Sequence, residues 1–254
     1  MKRKLTRLRI IQTLVHVLRP LDFVHALYEG GAAAFNRVDE WSDIDLYAVV
    51  DDGKMKETFS EIEKALESLS PITQKLEIAK LPWPGVSQVF YRLKAASPYL
   101  LIDFAVLENS SPEKFLETQI HGNAVFYFNK AGKIHIPSLD MEEFCRKMLL
   151  RRHALKTRFE LFNIFVQKEI NRSNYIQAIE LYRGLTLAAL VEALRMKHGP
   201  LHYDFKTSYV HHELPIETVS SLERLYFVKD PDDLKRKYRR ATKWFEEAIS
   251  EISG

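Results

Sequence analysis

The chain holds a single cysteine, Cys145, in 254 residues, so no intramolecular disulfide can form. A reducing, cytoplasmic setting is the expectation. Cys145 falls among Glu142, Glu143, Phe144 and Met148 in a helical pattern, where a buried, inert thiol is expected rather than a nucleophile. Long apolar runs are also missing: polar residues interrupt each one well before the ~18 needed to cross a bilayer. The basic start Met1-Lys2-Arg3-Lys4 has the look of a signal-peptide n-region, but residues 10–19 are too polar to follow it as an apolar core. That stretch reads as an amphipathic helix. There is no Walker-type phosphate loop and no Gly-x-Gly-x-x-Gly, which argues against P-loop and dinucleotide-binding enzymes. No His/Cys/Asp spacing fits a zinc site. Charge of one sign is scarce too. The net charge of +3, from 37 basic and 34 acidic residues, does not by itself call for a nucleic-acid partner.

What is present suits a folded core, with 46% hydrophobic, 11% aromatic and 28% charged residues. Basic residues gather twice: Lys2, Arg3, Lys4, Arg7 and Arg9 near the start, and Lys235, Arg236, Lys237, Arg239, Arg240 and Lys243 near the end. Each group reads either as a solvated helix face or as a surface that meets phosphates.

The first half alternates in character. Residues 5–18 have helical spacing, ended by Pro20. Residues 23–28 read as a strand running into Gly30-Gly31, and residues 32–35 open a short helix. Residues 43–50 are a strand closed by Asp51-Asp52-Gly53. A helix over 55–68 and strands over 72–81, 86–93, 100–107 and 123–128 follow, with 86–93 and 100–107 as a hairpin. From Met141 the pattern is helical, over 141–167, 174–197, 216–227 and 231–252. An α+β domain over 1–138 and an all-α domain over 139–254 are predicted.

Chemistry concentrates in three strand-borne acids. Asp43 and Asp45 are two apart on one strand, so their side chains share a face. Asp103 interrupts the apolar strand Ile102-Asp103-Phe104 and is costly to bury without a partner or a metal. Alone, an Asp-x-Asp strand is an ordinary solvated edge and a glycine pair an ordinary turn. Together they form an oxygen-ligand set suited to Mg²⁺ and phosphate.

Gly30-Gly31, Ser42-Asp43-Ile44-Asp45-Leu46 and Ile102-Asp103-Phe104 resemble, in order, the motif of the nucleotidyltransferase superfamily that includes DNA polymerase β and the antibiotic nucleotidyltransferases. The resemblance covers roughly residues 20–110. It implies a mixed β-sheet with flanking helices, followed by a helical bundle like that of the antibiotic-modifying members. It implies transfer of a nucleoside monophosphate from an NTP, ATP among them, to a hydroxyl-type acceptor, with pyrophosphate released. Asp43, Asp45 and Asp103 are then the catalytic residues and the ligands of two Mg²⁺ ions, with Mn²⁺ as a substitute; in many members the counterpart of Asp103 is or assists the general base. Gly30, Gly31, Ala32 and Ser42 are expected at the nucleotide, with Arg37 and Lys94 as further phosphate contacts. Glu180 and Arg183 are expected at a small-molecule acceptor, or else form a surface ion pair. The family commonly has Gly-Ser-x-x-Arg-Gly at its turn, and here Ala32, Phe35 and Asn36 replace the serine, arginine and second glycine. An RNA or protein acceptor is the alternative, as is a degenerate nucleotide-binding or toxin–antitoxin-type partner.

Overall fold

The structure is a computed structural model that describes residues 5–252. Lys2, Arg3 and Lys4 of the first basic group lie outside the described residues. The chain divides between Leu139 and Asp140 into two compact units.

The first unit is built on six strands: β1 (Val24–Glu29), β2 (Ile44–Val50), β3 (Ile72–Glu77), β4 (Val86–Leu93), β5 (Ile102–Glu108) and β6 (Val125–Asn129). Their order in the sheet is β3-β4-β5-β2-β1-β6. β2 and β5 run parallel, and the other neighbours are antiparallel. Alternation along β2 and β5 sorts their side chains onto two faces. One face presents Ile44, Leu46, Ala48, Ile102, Phe104 and Val106 to two helices. These are α1 (Arg7–Leu18), which contributes Ile10, Leu14 and Leu18, and α3 (Met55–Leu69), which contributes Ile62 and Leu66. Apart from Ala48, each such buried side chain stabilises the unit by ~1.5–3 kcal/mol. The helical spacing of α1 gives it this apolar stripe, and the Thr6 hydroxyl caps its start by accepting the Arg9 N–H at 3.3 Å.

The opposite face carries Tyr28, Val49, Ala105 and Leu107 in a smaller cluster with Leu116 and Ile134. Two single-turn helices, α2 (Gly31–Ala34) and α4 (Thr118–His121), follow β1 and β5 in the chain. The Asn123 N–H donates to the Ala34 carbonyl at 2.8 Å and joins the two segments.

The second unit is helical: α5 (Met141–Phe162), α6 (Ile164–Asn171), α7 (Tyr175–Leu181), a π-helical turn (Tyr182–Leu187), α8 (Ala188–His198), α9 (Val210–Glu213), α10 (Ile216–Tyr226) and α11 (Pro231–Glu251). Leu190 and Leu194 of α8 pack with Leu222 and Leu225 of α10 and with Leu234, Tyr238 and Phe245 of α11. Asp140 caps α5, and Asp230 caps α11 ahead of Pro231. The helices expected over 141–167 and 174–197 are each broken. Asn163 separates α5 from α6 and is buried. Its amide oxygen accepts the Thr186 hydroxyl at 2.6 Å and its amide nitrogen donates to the Thr242 hydroxyl at 3.1 Å. Tertiary hydrogen bonds, rather than a glycine or proline, mark that break. Cys145 departs from expectation, being exposed. It precedes Met148, the first buried residue of α5, so the packed stripe has not yet begun there. In the C-terminal basic group Lys235 pairs with Asp232, Arg236 and Lys237 pair with Asp233, and Lys243 pairs with Glu247. Among the described residues no helix is long and apolar enough to cross a membrane.

Candidate active site

The parallel register of β2 and β5 sets Asp45 opposite Asp103, with Ile44 opposite Ile102 and Leu46 opposite Phe104. Neighbouring strands lie about 4.8 Å apart, so the two carboxylates leave the same face side by side. That is the face away from α1 and α3. Asp43 stands just before β2. Its Oδ1 accepts the Leu101 N–H at 3.1 Å, and the Ile44 N–H donates to the Leu101 carbonyl at 3.0 Å. The start of β5 thus fixes Asp43, while the register fixes Asp45 and Asp103.

The glycine pair is fitted to this group. The Gly30 N–H donates to the Asp45 carbonyl at 2.9 Å. Gly31 has φ +50°, and a Cβ there would lie 1.9 Å from Asp45 Oδ2. A Cβ on Gly30 would lie 2.9 Å from Cε2 of Tyr47. The turn therefore needs glycine for close approach as well as for its backbone angle. It packs Gly31 against the Asp45 carboxylate, and the first N–H groups of α2, on Gly31 and Ala32, have no acceptor within the helix.

Burial raises the Asp45 pKa, the Asp43 charge raises it further, and Arg7 opposes both. Asp103 is pushed up to about 6, chiefly by burial. The Gln88 amide on β4 opposes that shift by donating to both oxygens of Asp103, at 2.7 and 2.8 Å. Asp45 and Asp43 raise it in turn. Adjacent carboxylates that resist ionisation, carried on rigid strands, are a donor set that fits a hard divalent cation.

On the far side of the sheet Arg7, the first residue of α1, donates to the Asp43 carbonyl and pairs with Glu29, which is buried at the end of β1. The Tyr127 hydroxyl also donates to Glu29. Burial lowers the Arg7 pKa, and Tyr127, Asp45 and Asp43 pull it back up. Arg7 thus ties α1 to the ends of β1 and β2.

Other expected site residues are scattered. The Ser42 hydroxyl donates to Asp39 Oδ1 at 2.8 Å and accepts the Asp39 N–H at 2.9 Å, so it builds the turn before β2. Asn36 has φ +53°, the left-handed region that asparagine tolerates, at the position where the family commonly has glycine. The Arg37 guanidinium lies 5.0 Å over the Phe35 ring. Lys94 is exposed at the β4–β5 turn. Glu180 on α7 and Arg183 in the π-helical turn are both exposed in the second unit, and no ion pair joins them among the described residues. Among the described residues the group whose metal-ligating atoms all lie within 4.8 Å of one another is Glu113, Glu117 and His121, on and before α4. The three aspartates do not gather that tightly.

Sequence reading missed Gln88, Glu29 and the Glu113–Glu117–His121 group. Glu29 carried the same signal as Asp103, an acid at the end of an apolar strand. The glutamates and histidine recur every four residues, a spacing that puts ligands on one side of a turn. Gln88 carried no signal, since a polar residue on an alternating strand is ordinary.

No protein-family model matches the chain, and no curated protein matches its sequence. Solved structures do resemble it. An aminoglycoside 6-adenyltransferase from Bacillus subtilis shares 11% identity over 98% of this chain and 94% of its own, with a TM-score of 0.37. A spectinomycin adenyltransferase from Enterococcus faecialis, solved with ATP and spectinomycin, shares 9% identity over 95% of this chain and 100% of its own, with a TM-score of 0.42. A STING-associated c-di-GMP synthase from Capnocytophaga granulosa shares 15% identity over 96% of this chain and 78% of its own, with a TM-score of 0.31.

Proposed function

We propose that the chain is a metal-dependent nucleotidyltransferase that moves a nucleoside monophosphate from an NTP to a hydroxyl of a small-molecule acceptor. The observation that carries this reading is the in-register pair Asp45 and Asp103 on adjacent parallel strands, with Gly31 packed on the Asp45 carboxylate. Asp43, Asp45 and Asp103 would hold Mg²⁺ or Mn²⁺. Bound there, the cation would neutralise triphosphate charge and acidify the acceptor hydroxyl. The N–H groups of Gly31 and Ala32 suit a phosphate oxygen, a grip that needs no serine side chain. Asp103 would also take the acceptor proton or assist its removal. The acceptor oxygen forms a bond to the α-phosphorus, the bond to the bridging oxygen breaks, and pyrophosphate leaves.

One observation favours a second reading. Gln88 engages both oxygens of Asp103, which in a non-catalytic nucleotide-binding protein would satisfy that acid permanently. An NTP labelled at the α-phosphate separates the two. With Mg²⁺ and separate arms of hydroxyl-bearing small molecules, RNA and protein, the enzyme transfers label and releases pyrophosphate, and Asp45→Asn does neither. Binding of Mg²⁺-NTP without pyrophosphate release in every arm is the outcome of the second reading. Equal transfer by Asp45→Asn would remove the first.

A further inference from the structure

A cavity of about 380 Å³ opens where β2 and β5 begin, within the size range of small-molecule clefts. Its walls include Arg7, Asp39, Glu40, Trp41, Ser42 and Tyr99. Ser42 directly precedes Asp43, and Leu100, also on the wall, directly precedes the residue whose N–H holds the Asp43 carboxylate. The cavity therefore lies at the starts of both strands beside Asp43, where Leu5, Thr6 and Arg7 complete its wall.

Its two aromatic rings are unusually open. Trp41 is 58% exposed and Tyr99 63% exposed. They meet edge to face, with centroids 5.0 Å apart, so each leaves a broad surface uncovered. The Trp41 loop is nonetheless held in place. Asp39 Oδ1 accepts the Trp41 N–H at 3.0 Å and the Ser42 hydroxyl at 2.8 Å. A fixed loop that presents a large apolar ring to water pays an exposure cost that a stacked ligand would remove.

The charges restrict what that ligand is. Asp39 and Glu40 line the cavity and Asp43 adjoins it, while the guanidinium of Arg7 is engaged by Glu29 and the Asp43 carbonyl. Phosphate is disfavoured there. A flat, uncharged ring with N–H donors at its edge fits both the aromatic faces and the carboxylates. We propose that this cavity is the nucleobase pocket of the NTP site, with Trp41 and Tyr99 as stacking faces and Glu40 favouring bases that carry an amino group.

The proposal rests on the reading of Asp43, Asp45 and Asp103 as a metal–triphosphate site, and calorimetric titration separates the two. The probes are the Mg²⁺ complexes of ATP, GTP, CTP, UTP and inorganic tripolyphosphate. In the wild type the nucleotides bind more tightly than tripolyphosphate, and ATP, GTP and CTP more tightly than UTP. Trp41→Ala weakens nucleotide binding about tenfold and leaves tripolyphosphate binding unchanged; Glu40→Gln narrows the gap between UTP and the others. Both side chains are exposed, so neither substitution disturbs the core. Unchanged ATP affinity in Trp41→Ala, with tripolyphosphate still bound, overturns the pocket and leaves the carboxylate site standing. UTP bound as tightly as ATP overturns the amino-group preference. If neither nucleotide nor tripolyphosphate binds the wild type, the metal–triphosphate reading fails and the pocket with it.

Discussion

Two faces of one sheet treat their acids in opposite ways. Toward α1, Glu29 is buried, and the chain supplies its counter-charge through Arg7 and a further donor through Tyr127. On the opposite face Asp45 and Asp103 sit side by side, and what Asp103 meets is the neutral amide of Gln88. Burial accordingly raises both pKa values. The first arrangement completes itself and serves the fold. The second keeps an electrostatic cost, which the cation of the proposed function would relieve.

The largest expected effect tests that division on the open face. Asp103→Asn should lower transfer by about 10²–10⁴-fold if Asp103 is the base, with a melting temperature equal to or above that of the wild type. Lost activity together with a lower melting temperature would mean that Asp103 supports the fold as Glu29 does.

On the other face the sign of the stability effect reverses. Arg7→Gln leaves Glu29 buried without its charge partner and should cost about 3 kcal/mol, measured by denaturant unfolding. The side chain of Glu29 is 4% exposed and that of Arg7 21%, so water compensates only part of the loss. Glu29→Gln in the same background should recover some of it, because the uncompensated charge is then gone.

A smaller effect probes the contact between the glycine turn and the open face. Gly31→Ala must move either the turn or the Asp45 carboxylate, since the new Cβ would lie 1.9 Å from Oδ2. The strained left-handed angle should cost about 1–2 kcal/mol, and affinity for Mg²⁺-ATP should fall with it. A stable variant with unchanged affinity would show that the glycine pair serves the turn alone.

These contrasts were unequally legible in the sequence. Asp43, Asp45 and Asp103 stood out as a set, a glycine pair followed by two acids on one strand and a third on a later apolar strand, and alternation located β4 over Val86–Leu93. Arg7 was read only as one of a basic group. Its role depends on α1 starting beside the end of β1, a contact between residues far apart in the chain that local pattern does not encode. Gln88 is likewise defined by its neighbour on β5. In the helical unit the break at Asn163 arises from bonds to Thr186 and Thr242, so helical spacing ran through it unmarked. Local periodicity reported which residues share a face. It did not report what that face meets.

The pH dependence gives an effect no larger than that of Gly31→Ala, and its sign follows from the raised pKa of Asp103. The folded protein holds this proton up to about pH 6, whereas the unfolded chain releases it near 3.8. Between those values the folded state binds more protons, so its stability declines as pH rises. The contribution is fully present below about pH 4 and lost above about pH 6. The shift corresponds to about 3 kcal/mol at most, and partial exposure of the carboxylate reduces that to roughly 1–2 kcal/mol. Other carboxylates act in the opposite direction: Asp233, for example, is held below the usual range by Lys237. The measurement is therefore the difference between wild type and Asp103→Asn, unfolded without divalent metal from pH 4 to pH 7. The variant should gain relative to the wild type as pH rises, and Mg²⁺ should shrink that gain by stabilising the wild type more than a variant that keeps two of the three ligands. A difference that stays flat with pH would place Asp103 with the acids the chain neutralises for itself.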